Sequence, residues 1–371
     1  MGSELTRRGA LASGAAIWAS ASIAGDARGQ VRGPVEKWGV FEVAFEAPAG
    51  NSPFDTAFVG LFSDGFGEIR APGFYDGDGI WRIRFCPPRA GSWRWVCQSE
   101  RSALNGRSGQ FEVVEAKGDN HGPVGVVETY HFAYADGSPF RQIGTTSYGW
   151  SHQSDAKRRS TLETLKASPF NKIRMLVLPN AAVAENLPIQ PFVRTGPRPA
   201  EFDLDQLDPA FFRRLDEAVS QLNQIGIQAD VILFHPYDEA SGFNDMNAER
   251  DARYVRYVMA RLGAYRNVWW SLANEFDILK GKTDEDWDRL FQLVRDEDPY
   301  DRLRSIHNWR RLYDNGKPWV THSSIQNGSA VLNDATAETY RSVWQKAVIF
   351  DEVCYEGSLD ERWGDLTGQE M

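Results

Sequence analysis

Hydrophobic positions follow two different rhythms along this chain. From residue 35 to 115 they alternate with polar ones. Phe41, Val43 and Phe45 share one face of "VFEVAFE", Trp81, Ile83 and Phe85 share one face of "WRIRF", and Trp93 and Trp95 do so in "WRW". A period of two is the signature of half-buried strands. Turn-forming clusters separate the runs: "APAGNSP", "YDGDG", "CPPRAGS" and "LNGRSG". Residues 35–116 are therefore expected to form a small antiparallel β-sandwich. One of its hairpins is expected to turn near Arg89–Ala90. That turn sets Cys86 opposite Trp93 or Arg94, so a disulfide between Cys86 and Cys97 requires a shifted register. "AKGDNHGPVG" then belongs to a linker, 117–130.

From about residue 131 the rhythm changes. "HFAYADGSPF" predicts a short hairpin with an Asp136–Gly137 turn. Apolar strands are then expected at 141–148, 171–178, 228–235, 267–275, 303–308, 319–324 and 347–352. Helical runs fall between most of them, at 209–225, 249–264, 284–295 and 336–345. Alternating β and α predicts a parallel sheet with helices outside it. Seven strands without a dinucleotide-type glycine pattern favour an α/β fold of the (β/α)8 TIM-barrel kind over 131–371, rather than a doubly wound sheet. "VCYEGSLDERWGDLTGQEM", after Glu352, offers no apolar strand. The barrel is therefore expected to lack its eighth strand and to be incomplete at the C-terminus.

Polar residues gather at the C-terminal ends of these strands. Strand one ends in "TTSYGW"; Arg174 on strand two is followed by Pro179 and Asn180; strand three ends in His235. Asn274–Glu275, His307–Asn308, His322 and Asp351–Glu352 end the next four. In a (β/α)8 barrel these ends converge on one face, where active sites lie. Strand parity sharpens the picture. Ser271, Ala273 and Glu275 share the inward face of strand four, while Val268, Trp270 and Leu272 suit the helix layer. On strand seven, Val348 and Phe350 share the face of Glu352, and Asp351 points away from the axis with Ile349. Glu275 and Glu352 would then oppose each other across the barrel mouth.

Two opposed carboxyls are what glycoside hydrolysis requires: one protonates the leaving oxygen, the other attacks the anomeric carbon or activates water. The acid must keep its proton near neutral pH, which burial or a like charge can arrange. Around this pair, His235, His307, Asn308 and His322 are candidate contacts for sugar hydroxyls. Tyr355 and Glu356 are expected to line the mouth, with Glu356 in reserve for the acid pair. Trp150 and Trp309 are candidate sugar platforms. The histidines are a poor metal set, with no H-x-H on strand one and no tight His/Asp cluster, so no metal or other cofactor is implied.

Composition narrows the function further. The net charge of −10, without a basic run, argues against a nucleic-acid partner. Thirteen tryptophans suit a protein whose partner is a carbohydrate as well as one with a large core. "LTRRGALASGAAIWASASIAG", with paired Arg7 and Arg8, is too short and too rich in Ala and Ser to span a membrane. It reads as a twin-arginine secretory signal over 1–27, cleaved near Ala24 or Ala27. The mature protein is expected to be periplasmic or secreted, and its oligomeric state is not legible.

The residues also carry a family resemblance. "WWSLANEFD" and "VIFDEVCYEG" resemble the strand-four and strand-seven motifs of clan A retaining glycoside hydrolases. "HFAYADGSPFRQIGTTSYGW", "FNKIRMLVLP" and "ILFHPYDEASGF" look like a bacterial group of such barrels with an N-terminal immunoglobulin-like domain of unknown function, related to apiosidase-like glycosidases. The resemblance covers nearly everything after the signal. It implies Glu275 as acid/base, Glu352 as nucleophile, Asn274 as a contact to the substrate 2-hydroxyl, and Arg174 beside the nucleophile. Two positions depart from the clan: Phe276 follows Glu275 where many members have Pro, and the strand-six Tyr is not evident, His322 occupying that region. The expected activity is retaining hydrolysis of plant or algal polysaccharide fragments. The alternative is a non-catalytic carbohydrate-binding protein on the same fold, against which the intact glutamate pair argues.

Overall fold

The computed structural model describes residues 33–180, 187–196, 201–327 and 334–353. Seven strands build the N-terminal domain: β1 Val35–Glu36, β2 Phe41–Glu46, β3 Phe58–Ser63, β4 Glu68–Tyr75, β5 Ile80–Phe85, β6 Gly91–Ser99 and β7 Ser108–Val114. Their order is β1-β7-β6-β3-β4-β5-β2. β4 serves two layers, because Glu68–Pro72 pair with β3 while Gly73–Tyr75 pair with β5. The sheet thus folds over at Pro72–Gly73 and packs its own apolar faces together. Phe41 stacks on Phe111 at 3.8 Å, and Phe62 on Phe85 at 4.0 Å. Gly73 lies so close to the Phe58 ring that a Cβ there would collide with it.

The expected hairpin at Arg89–Ala90 does not form. β5 pairs with β2 and β4, whereas β6 pairs with β3 and β7. Pro87 and Pro88 lack the N–H groups a ladder needs, so the chain crosses between layers instead of turning back. Cys97 lies opposite Gly60, and both Cys86 and Cys97 are free and buried.

The stretch expected as a linker holds a strand. β8 Val124–Val127 pairs with β9 His131–Tyr134 around Glu128–Thr129, both with positive φ. The Asp136–Gly137 turn forms as well, with Gly137 N–H donating to Tyr134 O at 2.9 Å. This hairpin packs Val126, Phe132 and Tyr134 against Phe140, Trp269, Leu303 and Ile349, closing the floor of the barrel.

The α/β region then runs in chain order through β10 Gly144–Thr146, α1 Asp155–Ala167, β11 Lys172–Leu176, the antiparallel pair β12 Phe192–Arg194 and β13 Phe202–Leu207, and α2 Pro209–Gln224. β14 Gln228–Phe234, α3 Ala248–Leu262, β15 Val268–Ala273, α4 Asp284–Glu297, β16 Arg304–Ser305, β17 His322–Asn327, α5 Asp334–Trp344 and β18 Ala347–Val353 follow. β10, β11, β14, β15 and β16 form one parallel sheet; a parallel bridge from His307 to Ser324 continues it to the β17–β18 pair. The array curls until its ends approach, and Gln142 Nε2 reaches Asp351 Oδ1 at 3.5 Å. The expectation of a missing eighth strand falls on residues after β18, outside the described ones.

Outward side chains such as Ile173, Met175, Val231, Leu233, Trp270 and Leu272 share one core with Phe212, Leu215, Val219, Val258 and Leu290 of the helices. Each such buried side chain contributes about 1.5–3 kcal/mol. α1 escaped the sequence reading because its buried stripe is only Arg158, Leu162 and Leu165. Ser154 caps it by accepting from Lys157 N. The β domain docks on α2 and α3 through the buried ion pairs Arg84–Asp216 at 3.0 Å and Arg261–Asp76 at 2.8 Å, and Arg261 also pairs with Asp216 at 2.6 Å between the two helices. Among the described residues no helix is long and apolar enough to cross a membrane.

Candidate active site

Two local breaks in strand alternation build the site. At the end of β15, Glu275 adopts left-handed φ 45°, ψ 50°. For a residue with a Cβ this costs about 1–3 kcal/mol. The break lets consecutive residues face the same way, and both Asn274 and Glu275 meet Tyr237. Tyr237 Oη donates to Glu275 Oε2 at 2.7 Å and accepts from Asn274 Nδ2 at 2.7 Å.

The second break is a β-bulge in β18. Ile325 of β17 lies opposite Phe350 and Gln326 opposite Glu352, leaving Asp351 without a partner position. Strand parity had placed Asp351 away from the axis with Ile349, and Val348 and Phe350 inward. The reverse holds below the bulge: Ile349 packs in the barrel floor, and Phe350 lies 6.5 Å from Tyr340 of α5. Asp351 points inward, where Lys172 Nζ donates to it at 2.7 Å and Ser324 Oγ at 2.6 Å. The extra residue then brings Glu352 inward too.

One hydrogen-bonded path joins the two glutamates. It runs from Glu275 through Tyr237 to Asn274, whose Oδ1 lies 3.2 Å from Tyr148 Oη; that hydroxyl gives its single proton to Glu352 Oε2 at 2.9 Å. Arg174 lies under this path. Its Nη2 donates to Asn274 Oδ1 at 2.8 Å, and its Nη1 lies 3.8 Å from Glu352 Oε2. Burial opposes the Arg174 charge, but Tyr148, Asp351, Asp230 and Glu352 outweigh it and raise its pKa. Burial also raises the carboxyl of Glu275; the charge of Glu352 adds to the shift and the Tyr237 hydrogen bond opposes it. Burial, then Tyr148 and the carboxylates of Glu275 and Glu352, hold the Tyr237 hydroxyl protonated well above its ordinary range. Gln326, with its amide nitrogen turned toward them, reaches Asn308 O at 2.8 Å and Glu275 Oε1 at 3.2 Å.

The expected site residues divide into three groups. Glu275, Glu352, Asn274 and Arg174 come together as just described. His235, His307 and Asn308 are buried behind them and serve as supports. His235 Nε2 donates to Leu178 O at 2.9 Å and its Nδ1 accepts from Tyr237 N at 3.1 Å, which fixes the start of the Tyr237 turn. Burial pulls His235 down to about 4, so it is neutral there. His307 Nε2 lies 3.3 Å from Glu352 Oε2 without hydrogen-bond alignment, and its Nδ1 lies 3.0 Å from Ser324 Oγ. Burial, then Arg174, pull His307 down to about 4 against the opposing pull of Glu352 and Asp351. Asn308 Oδ1 accepts from Gln326 N at 3.2 Å.

The third group lies elsewhere. His322 begins β17 rather than ending it, and its ring packs on Phe132 and Trp269 of the barrel floor. It is not a mouth residue. Trp150 is buried against the α1 side and presents no face to the mouth pair. Trp309 is 36% exposed beside Asn308, with its backbone N–H donating to Asp277 Oδ1 at 2.6 Å. Tyr355 and Glu356 lie outside the described residues.

Sequence reasoning missed Tyr148, Tyr237, Gln326, Lys172, Asp230 and Ser324. Both tyrosines stood in quoted stretches, Tyr148 in "TTSYGW" two residues before Trp150 and Tyr237 in "ILFHPYDEASGF" two residues after His235. Gln326 takes the strand-six position over the mouth that was assigned to His322. Among the described residues no three His, Cys, Asp or Glu side chains are placed to hold a metal ion.

With this geometry in place, comparisons with known proteins bear on it. Residues 34–100 match a domain of unknown function, DUF5060. Residues 127–370 match the apiosidase-like catalytic domain. A "putative glycoside hydrolase" from Bacteroides vulgatus ATCC 8482 is 42% identical, superposes with a TM-score of 0.87, and is matched over 92% of this chain and 69% of that one. A family 5 glycoside hydrolase from the same organism shows 17% identity and a TM-score of 0.48, over 64% of this chain and 55% of that one. No curated protein matches the chain.

Proposed function

The chain belongs to the apiosidase-like family, and we propose that it is a retaining glycoside hydrolase with Glu275 as acid/base and Glu352 as nucleophile. The observation that carries this reading is the path from Glu275 through Tyr237, Asn274 and Tyr148 to Glu352, which sets two carboxyls of unequal electrostatics around one mouth. Glu275, whose pKa is raised, keeps the proton that the departing glycosidic oxygen needs. Glu352, beside the Arg174 guanidinium, attacks the anomeric carbon, and the glycosyl ester forms as the bond to the leaving oxygen breaks. Glu275, now a carboxylate, takes a proton from water, whose oxygen attacks the anomeric carbon as the bond from that carbon to the Glu352 carboxylate breaks. Asn274 Nδ2 spends one proton on Tyr237 and has a second for the sugar 2-hydroxyl.

The substrate class is a fragment of plant or algal polysaccharide, met outside the cytoplasm after removal of residues 1–27. The test uses Glu352→Ala with an activated aryl glycoside and azide. A glycosyl azide of inverted configuration is expected. In Glu275→Ala, azide should return the product of retained configuration. Undiminished hydrolysis by Glu352→Ala refutes the assignment.

A further inference from the structure

Behind Glu352 stands a buried row of side chains that the double-displacement steps do not use. It runs from Glu352 Oε2 to His307 Nε2 at 3.3 Å, from His307 Nδ1 to Ser324 Oγ at 3.0 Å, and from Ser324 Oγ to Asp351 Oδ2 at 2.6 Å. Lys172 Nζ closes it, 2.7 Å from Asp351 Oδ1 and 2.7 Å from Asp230 Oδ2. Three successive barrel strands supply His307, Ser324 and Asp351, and the β18 bulge is what brings the last of them in.

Counting protons along the row gives it a direction. Burial alone would raise Asp351, but Lys172 and Arg174 hold its carboxyl far below the usual carboxylate range. An ionised carboxylate has only lone pairs, so the single hydroxyl proton of Ser324 goes to Asp351. Ser324 Oγ can then only accept from its other neighbour. Neutral His307 must carry its one proton on Nδ1, and Nε2 turns a bare lone pair toward Glu352. The misalignment of that contact is what two facing acceptors would give.

We propose that Asp351 is a positioning residue for the nucleophile: by claiming the Ser324 proton it holds His307 in the Nδ1–H tautomer and so withholds a hydrogen bond from Glu352. The proposal rests on the reading of Glu352 as nucleophile. A donor on Nε2 would stabilise the resting carboxylate more than the half-formed ester, and so would raise the barrier to attack. Tyr148 and Arg174 already hold Glu352 in place, and the relay keeps His307 from adding a donor to it.

The charged groups facing His307 agree with a neutral ring. Arg174 of β11 and the burial of the ring oppose a second proton; Glu352 and Asp351 of β18 favour one and are outweighed. Farther out, Lys172 and Asp230 offset one another across 2.7 Å. Glu275 lies at the far end of the tyrosine path, beyond Asn274.

The test is Ser324→Ala, which keeps the Asp351 charge and removes the relay. His307 is then free to move its proton to Nε2 and donate to Glu352. The acid limb of the kcat/KM profile with an aryl glycoside should move about one unit to lower pH, with a lower plateau. Ser324→Thr keeps the hydroxyl and should restore the wild-type limb. Asp351→Asn reverses the relay, since its amide donates to Ser324, and should shift the limb the same way as Ser324→Ala. Nitrogen-15 spectra of histidine-labelled enzyme read the tautomer directly, without activity: Nδ1–H in the wild type, Nε2–H in Ser324→Ala. A folded Ser324→Ala with an unmoved limb overturns the positioning role, and a wild-type His307 protonated on Nε2 overturns the relay. If azide rescue fails at Glu352 while the tautomer still switches, the nucleophile assignment falls and the relay stands.

Discussion

Lowering the pH should destabilise this protein through its buried histidines, and one substitution isolates the effect. His322 is pulled down to about 3 by burial, and His152, His235 and His307 each to about 4. In the unfolded chain each titrates near 6.5. Their folded pKa values are depressed, so the stability they contribute is full above about pH 6.5 and is lost as the pH falls toward their folded values. Between those limits each costs about 1.4 kcal/mol per pH unit. Asp238, pushed up to about 7 by burial, works the other way, because the folded protein holds its proton where the unfolded chain does not. Four protons less one leave about three taken up on unfolding near pH 5, a slope of about 4 kcal/mol per unit. Glu275, Asp230 and Asp251, also raised, trim this further. Between about pH 6.5 and 4 this removes up to about 10 kcal/mol, a large share of a total stability of about 5–15 kcal/mol. His322→Phe is the clean perturbation, since the ring already packs on Phe132 and Trp269 and its Nε2 has no partner among the described residues. Urea unfolding followed by tryptophan fluorescence at several pH values should give the variant a slope shallower by about 1.4 kcal/mol per unit. Its kcat/KM at pH 7 should be that of the wild type. Parallel slopes for the two proteins would refute the reasoning.

Two further outcomes follow from the site. Tyr237→Phe removes the hydrogen bond that opposes the upward shift of Glu275, so the basic limb of the pH–rate profile should move up by about one unit while the rate falls. Lys172→Met leaves Asp230 and Asp351 facing each other without their cation, and should lower stability by about 3–5 kcal/mol in urea unfolding at pH 7; an unchanged midpoint would show that Arg174 alone suffices.

Much of the architecture is legible because it depends on short-range pattern. The change from period two to alternating β and α near residue 131 reflects how each element buries one face, which is written locally in "VFEVAFE" or "QADVILFH". Asn274 and Glu275 could be placed at a barrel mouth because they end an apolar run. Arg174 was expected beside the nucleophile through the family resemblance; its inward direction follows from the structure, where its neighbours Ile173 and Met175 join the helix layer. The β5–β6 hairpin was misread for the opposite reason: both strands are real, but which strands they pair with depends on the fold of the whole sheet at Gly73.

What tertiary structure alone decided is the identity of the partners. Alternation carries information only along an unbroken ladder. The bulge that turns both Asp351 and Glu352 inward is set by the register of Ile325 and Gln326 on a different strand. Glu352 was assigned inward by a parity that fails for Ile349 and Phe350, and it is inward only because the bulge reverses the count. Tyr148 and Tyr237 lie just past their strands, where no period constrains a side chain, and the turn and loop geometry brings their hydroxyls together over Asn274. His322 looked like a strand end and is a strand start, a difference fixed by pairing with Ala347 rather than by any residue near it. The sequence by itself determined that two glutamates stand at the ends of barrel strands. The fold decided which buried side chains connect them, because those contacts join residues from 37 to 204 positions apart, on different strands and loops.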